Sequence, residues 1–386
     1  MLVKNSSALL FVCILLLLTA CSKGNEEEQK ENQNNTEQDE LEEQDTKENL
    51  DPATGLFMEF IKENKDTDRI AFLAAWNDEP IAEINPDLAL PLASVVKIII
   101  AIEFASQAEE GKMDPSEMIS MEEVDKYFFA NTDGGAHEAW KNTLEDGEEQ
   151  VSLEQIAQGM MDYSSNANTD YLIERLGLEE VNNRIEELDL HNHDPIYPLT
   201  ASIAIPERVL EENNLEEDEL EAALRDLDDD AYRQIAIGLF EEWQQEPLSE
   251  EEKEKAVALV DMPIQKVWSD RLTHATAEDY YKIMAMLNKK EHYSDAFYEE
   301  LDAIFSLELE NEAIERAAQK GGSTAFVLNQ AVYAEDKAGN RLEVILFTND
   351  LNLSELEVAA MQMQALTDKL VNEEDFREEV RDALAE

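Results

Sequence analysis

Ile98-Ile99-Ile100-Ala101-Ile102 follows directly on Ser94-Val95-Val96-Lys97. A helix that is apolar on every side has to be enclosed on every side, so the fold must wrap other elements around this segment. Three residues apart, Ser94 and Lys97 share one face of that helix, one turn above the other. A serine hydroxyl is a poor nucleophile until a base takes its proton. A lysine can be that base only when burial suppresses its own charge. The pattern S-x-x-K is loose, and about one chance match in a chain of this length is unremarkable. Taken alone, Ser94 also reads as a helix N-cap and Lys97 as a lysine reaching out from the helix edge.

Two further elements follow in order. Asp162-Tyr163-Ser164-Ser165-Asn166 carries S-x-N, and Lys320-Gly321-Gly322-Ser323-Thr324 carries K-x-G ahead of a strand-like segment. The set S-x-x-K, S-x-N, K-x-G resembles the penicillin-recognising serine acyltransferases, meaning class A-like β-lactamases and D-Ala-D-Ala peptidases. The resemblance spans roughly residues 52–370 around a large insertion. It implies Ser94 as nucleophile, Lys97 as acylation base and Ser164 as proton relay. It further implies that Asn166 holds the substrate amide and Lys320 the substrate carboxylate. Gly322 lets substrate lie along the strand edge, and the Ser323 N–H completes an oxyanion hole with that of Ser94. The ordinary readings are an interhelical turn for Ser-Ser-Asn and a loop-to-strand transition for Lys-Gly-Gly.

Two departures bear on turnover. Gly321 stands where the family usually has Thr or Ser, so that hydroxyl is missing unless Ser323 or Thr324 compensates. No Glu-x-x-Leu-Asn occurs anywhere to activate a deacylating water; the corresponding region holds His191-Asn192-His193-Asp194, with Glu207 further on. Asp194 or Glu207 could serve, and spacing does not choose between them. A metal site at His191 and His193 is disfavoured: there are five histidines in all, no Cys beyond Cys21 and no H-E-x-x-H. No G-x-S-x-G elbow or phosphate-cradling glycine loop is present. No cofactor is implied.

Lys4, the apolar stretch Ala8 to Leu18 and Leu18-Thr19-Ala20-Cys21 read as an export signal ending in a lipobox-like sequence. On that reading residues 1–20 are a signal peptide, Cys13 leaves with it, and Cys21 becomes a diacylated N-terminus anchoring the protein outside the bacterial cell membrane. No thiol then remains in the folded body. Residues 21–50, almost free of apolar side chains, form an acidic tether that cannot offset the entropy of ordering. Ninety acidic against thirty basic residues give a net charge of −60, which excludes a nucleic-acid partner. Self-repulsion on this scale predicts a domain adapted to high salt.

Along residues 51–386, a helix at Gly55–Lys65 precedes strands at Arg69–Trp76 and Ile81–Ile84. A helical region runs from Ser152 through Leu178, and an acid-rich helical insertion near 207–256 is either a pair of solvated amphipathic helices or a lid over the cleft. Thr276-Ala277-Glu278-Asp279 opens a helix as a capping box. Strands at Ala325–Ala334 and Arg341–Thr348 and a helix at Leu351–Val371 close the chain. Strands at both ends with helices between predict an α+β fold. It has one antiparallel sheet built from both chain ends, flanked by helices, with an all-helical subdomain, as in β-lactamases and transpeptidases. The function expected is acyl-enzyme hydrolysis of a β-lactam or a related cyclic or peptide amide. The alternatives are a D-Ala-D-Ala peptidase-like enzyme and an idle penicillin-binding-like scaffold taking cell-wall peptides.

Overall fold

The computed structural model describes residues 51–144, 149–309 and 311–385. The expected signal peptide, the expected lipidation site Cys21 and the expected tether lie outside the described residues. Among the described residues nine strands form: β1 (Ile70–Trp76), β2 (Glu79–Ile84), β3 (Ala89–Pro91), β4 (Met118–Ser120), β5 (Gln150–Ser152), β6 (His274–Thr276), β7 (Ile314–Ser323), β8 (Leu328–Asp336) and β9 (Arg341–Thr348). The main sheet has the order β2-β1-β9-β8-β7, antiparallel throughout. β3 pairs with β6, and β4 with β5. As expected from the distribution of strands, the sheet is assembled from both chain ends.

Side chains alternate between faces along a strand, and the central strands feed two cores. Phe72, Val344 and Leu346 pack with Phe57, Ile61, Leu366 and Leu370 of the terminal helices Gly55–Asn64 and Leu353–Asn372. Their neighbours Leu73, Ile345 and Phe347 face the other way, into the core that holds Ile98 through Ile102. The helix Lys97–Glu109 is buried from Lys97 to Gln107, enclosed as its sequence requires. Even Glu103 is interior, where Arg184 of the helix Leu178–Glu187 binds it at 2.7 Å.

The acid-rich insertion is amphipathic, as expected, but it is four helices rather than a pair. It comprises the helices Ile205–Asn213, Leu220–Asp226, Asp229–Gln245 and Glu250–Ala258. Tyr232, Ala236, Leu239, Phe240 and Trp243 recur at helical spacing and are buried in the main core, with Phe240 stacked on Tyr127 and Trp243 against Phe129. The acidic residues occupy the opposite face. Two boundaries also differ from expectation. Lys320 lies inside β7 rather than before a strand, because Glu315, Arg316, Gln319 and two glycines erase the apolar alternation of an edge strand. Thr276 caps the backbone N–H of Asp279, but the Asp279 carboxylate finds no hydrogen-bond partner, so the box is half formed.

Candidate active site

Ala93–Val96 is a 3₁₀ turn that leads from β3 into the Lys97–Glu109 helix. Residues three apart eclipse in such a turn, which puts Ser94 and Lys97 on one side. Ala93 sits at φ 47°, a left-handed conformation costing a residue with a β-carbon about 1 kcal/mol or more. Ser94 is half-buried and Lys97 wholly buried. Among the described residues no hydrogen bond joins Lys97 Nζ to Ser94 Oγ. Nζ is directed instead to the Ser164 carbonyl at 2.6 Å, Asn166 Oδ1 at 2.8 Å and Ser164 Oγ at 3.3 Å.

Those acceptors come from the far wall. The helix Leu153–Gln158 relaxes into a π-turn over Gly159–Tyr163, Ser164 turns left-handed at φ 69°, and Ser165 caps the helix Asn166–Leu176. The turn lifts Ser164 out of the helical line, so that its carbonyl and hydroxyl both face Lys97. With Oδ1 held by Lys97, the Asn166 amide group is oriented away from the lysine.

β7, an edge strand, supplies the third side. Lys320 Nζ, also buried, donates to Ser164 Oγ at 3.0 Å and to the Gly321 carbonyl at 3.3 Å. Gly322 is pressed against the serine turn. A β-carbon there would stand 2.5 Å from the Leu92 carbonyl oxygen and 2.8 Å from the Ser94 nitrogen. The Thr324 N–H is spent on the Val327 carbonyl, and because successive residues of a strand alternate, that of Ser323 faces the free edge. The Thr324 hydroxyl is bonded to Ser269 at 2.7 Å, so of the two hydroxyls near Gly321 only that of Ser323, which is exposed, remains open to a ligand. Ser94, Lys97, Ser164, Asn166, Lys320, Gly322 and Ser323 therefore converge from three separate stretches of chain.

Burial pushes the Lys97 amine well below the ordinary lysine range, and the positive charge of Lys320 pushes it the same way. Burial also brings Lys320 down to about 8, partly opposed by the charge of Asp162. A neutral Lys97 accounts for its three contacts. Two N–H bonds go to the Ser164 carbonyl and Asn166 Oδ1, both of which can only accept, and the lone pair is left for a hydroxyl proton. Ser164 Oγ, accepting from Lys320, has its own proton free to point at Lys97.

Asp194 and Glu207 are engaged elsewhere. The Asp194 carboxylate lies against His274 at 3.6 Å, and Glu207 pairs with Lys255 of the insertion at 2.7 Å. His193 is taken up by the Asp194 carbonyl and the Tyr280 hydroxyl, while His191 is exposed beside Asp189. Motif spacing missed Asp170, wholly buried, which accepts from Leu199 N and Thr200 N at 2.8 Å each and from the Thr200 hydroxyl. It pins the loop after Tyr197, and burial raises its carboxyl to about 6 against those hydrogen bonds. In sequence it stands among Asn166, Asn168 and Thr169, where nothing in the motif spacing singles it out.

The chain matches the model of the beta-lactamase enzyme family over residues 57–373. Among solved structures it is similar to a class A beta-lactamase from Bacteroides cellulosilyticus DSM 14838, at 14% identity and TM-score 0.51, covering 85% of this chain and 96% of that one. A beta-lactamase from Sphaerobacter thermophilus DSM 20745 is similar at 19% identity and TM-score 0.50, covering 78% and 92%. At such identities the likeness establishes the fold. No curated protein matches. With the family's model extending over most of the chain, the protein belongs to the beta-lactamase enzyme family and is a β-lactamase-like serine hydrolase.

Proposed function

We propose that the protein forms an acyl-enzyme on Ser94 with a β-lactam or a related cyclic or peptide amide, and that water releases the acyl group slowly. The observation that carries this reading is the shared hydroxyl: Ser164 Oγ lies 3.3 Å from Lys97 Nζ and 3.0 Å from Lys320 Nζ. As the Ser94 Oγ–carbon bond forms, its proton passes to the neutral Lys97 amine. As the carbon–nitrogen bond breaks, Ser164 delivers a proton to the leaving nitrogen and is replenished from Lys97. The N–H groups of Ser94 and Ser323 receive the developing oxyanion. Lys320 attracts a substrate carboxylate, and Asn166 binds the substrate amide.

Slow release is supported by the engagement of both candidate bases, Asp194 with His274 and Glu207 with Lys255. The same observation favours a D-Ala-D-Ala peptidase-like role as the second reading. On either reading, Cys21 carries the lipid that tethers the enzyme to the outer face of the bacterial membrane through residues 21–50. Among the described residues no helix is long and apolar enough to cross a membrane. A fluorescent penicillin tests the proposal. Label on the wild type and none on Ser94→Ala supports it; label retained on Ser94→Ala overturns it. Persistent label points to slow turnover, rapid loss with ring opening to an efficient β-lactamase. Loss of membrane association in Cys21→Ser tests the anchor.

A further inference from the structure

Beneath Ser164 and Asn166 lies a second polar cluster that the acylation reading does not use. Ser165 Oγ, wholly buried, stands 2.9 Å from His137 Nδ1 and 2.9 Å from Asn168 Oδ1, and it accepts from Asn168 N at 3.2 Å. His137 is also wholly buried; its other ring nitrogen lies 2.8 Å from Asp125 Oδ1. The ring stacks on Phe128 and leans on Trp140. Space is tight: a β-carbon on Gly159 would stand 2.2 Å from Asn168 Nδ2 and 2.7 Å from the Trp140 ring.

Hydrogen-bond counting fixes the protons. Asn168 Nδ2 donates to the Ile156 carbonyl at 3.0 Å, so the amide cannot be flipped and Oδ1 must face Ser165. Oδ1 only accepts, so the single hydroxyl proton of Ser165 is committed to it. The contact between Ser165 Oγ and His137 Nδ1 then needs its proton on Nδ1. The Asp125 carboxylate likewise only accepts, so Nε2 carries a proton as well.

We propose that His137 is held as an imidazolium and is the positioning residue of the loop that carries Ser164 and Asn166, acting through Ser165. The charges around it pull both ways. Lys141 shares the Asp125 carboxylate at 2.7 Å, and Lys253 from the insertion donates to the Asp125 carbonyl at 3.1 Å; both oppose a third cation. Asp125 itself and Asp133, whose carboxylate accepts the His137 backbone N–H, favour it. A neutral ring would leave two acceptors face to face, either Nδ1 against Ser165 Oγ at 2.9 Å or Nε2 against Asp125 Oδ1 at 2.8 Å. The two contacts together decide for the charged form.

Nitrogen NMR of the His137 ring in the wild-type protein at neutral pH is the direct test. Protons on both nitrogens are expected, and a single-proton tautomer overturns the proposal. The positioning role rests on the acylation reading and is tested with a fluorescent penicillin. Ser165→Ala and His137→Ala should each slow acylation at least 10-fold with non-covalent affinity within 2-fold of wild type. The double variant should be no slower than the worse single one, because both act through one contact. Additive losses, or losses confined to melting temperature, overturn it. If the wild type takes no label, the acylation reading fails by itself. Amide exchange at Ser164–Asn166 then decides the positioning role: faster in Ser165→Ala supports it, unchanged exchange overturns it.

Discussion

Gly322→Ala isolates the most demanding contact of the cleft. The new β-carbon would lie 2.5 Å from the Leu92 carbonyl oxygen, 2.8 Å from Ser94 N and 3.0 Å from Val95 N, all backbone atoms that no side-chain rotation relieves. Ordinary contacts begin near 3.4 Å, so β7 and the serine turn must separate by close to 1 Å. That separation moves the Ser323 N–H away from the Ser94 N–H, between which the oxyanion is to be held. Displacement of this size costs about 100-fold in rate, and loss of one oxyanion donor about 100- to 1000-fold. Overpacking destabilises the fold by about 1–3 kcal/mol. Gly321→Ala is the matched control, since its β-carbon meets only the Asn329 carbonyl oxygen at 3.6 Å. Stopped-flow acylation by a fluorescent penicillin should show a drop of about 100-fold for Gly322→Ala and less than about 3-fold for Gly321→Ala. Equal rates in the two variants would refute the close-approach argument.

Lys320→Met should abolish acylation yet stabilise the protein. Its amine falls from 10.5 to about 8, and at about 1.4 kcal/mol per pH unit burying the ammonium costs about 3 kcal/mol. The sign follows from proton counts: between pH 8 and 10.5 the unfolded chain holds more protons, so wild-type stability should rise with pH across that window, and the variant should show a shallower rise in melting scans, the buried Lys97 amine supplying what remains. Asp170, raised from 3.8 to about 6, behaves oppositely. The folded state holds the extra proton, so stability falls as pH climbs from about 4 to 6, and Asp170→Asn should make that slope shallower, Asp162 supplying the rest, while loosening the 199–201 loop by about 1–3 kcal/mol through an unpaired donor. With a net charge of −60, the melting temperature should rise from dilute buffer to molar salt, as screening shortens from about 10 Å at 0.1 M to about 3 Å. An unchanged melting temperature would exclude electrostatic strain.

The buried helix after Ser94, the sheet drawn from both termini and the three motif segments were legible because each is written locally. An all-apolar run, short mostly apolar stretches beside turn residues in β1, β8 and β9, and short patterns of fixed spacing need no distant partner to be read. β7 was legible only in part, since an edge strand with one face at a cleft alternates weakly. The insertion was legible as amphipathic helices, but its acidic count hid how deeply Tyr232, Ala236, Leu239, Phe240 and Trp243 anchor it in the core.

Sequence by itself determined which groups could do the chemistry: two hydroxyls, two lysines and a pair of glycines small enough to admit a strand edge. Tertiary structure alone decided where their protons sit. Lys97 turns to Ser164 and Asn166 rather than to Ser94, Asp170 holds the loop after Tyr197, and His137 reaches Ser165 from 28 residues away in the chain. Such contacts depend on burial and on the direction of each donor, and both exist only once distant segments have packed together.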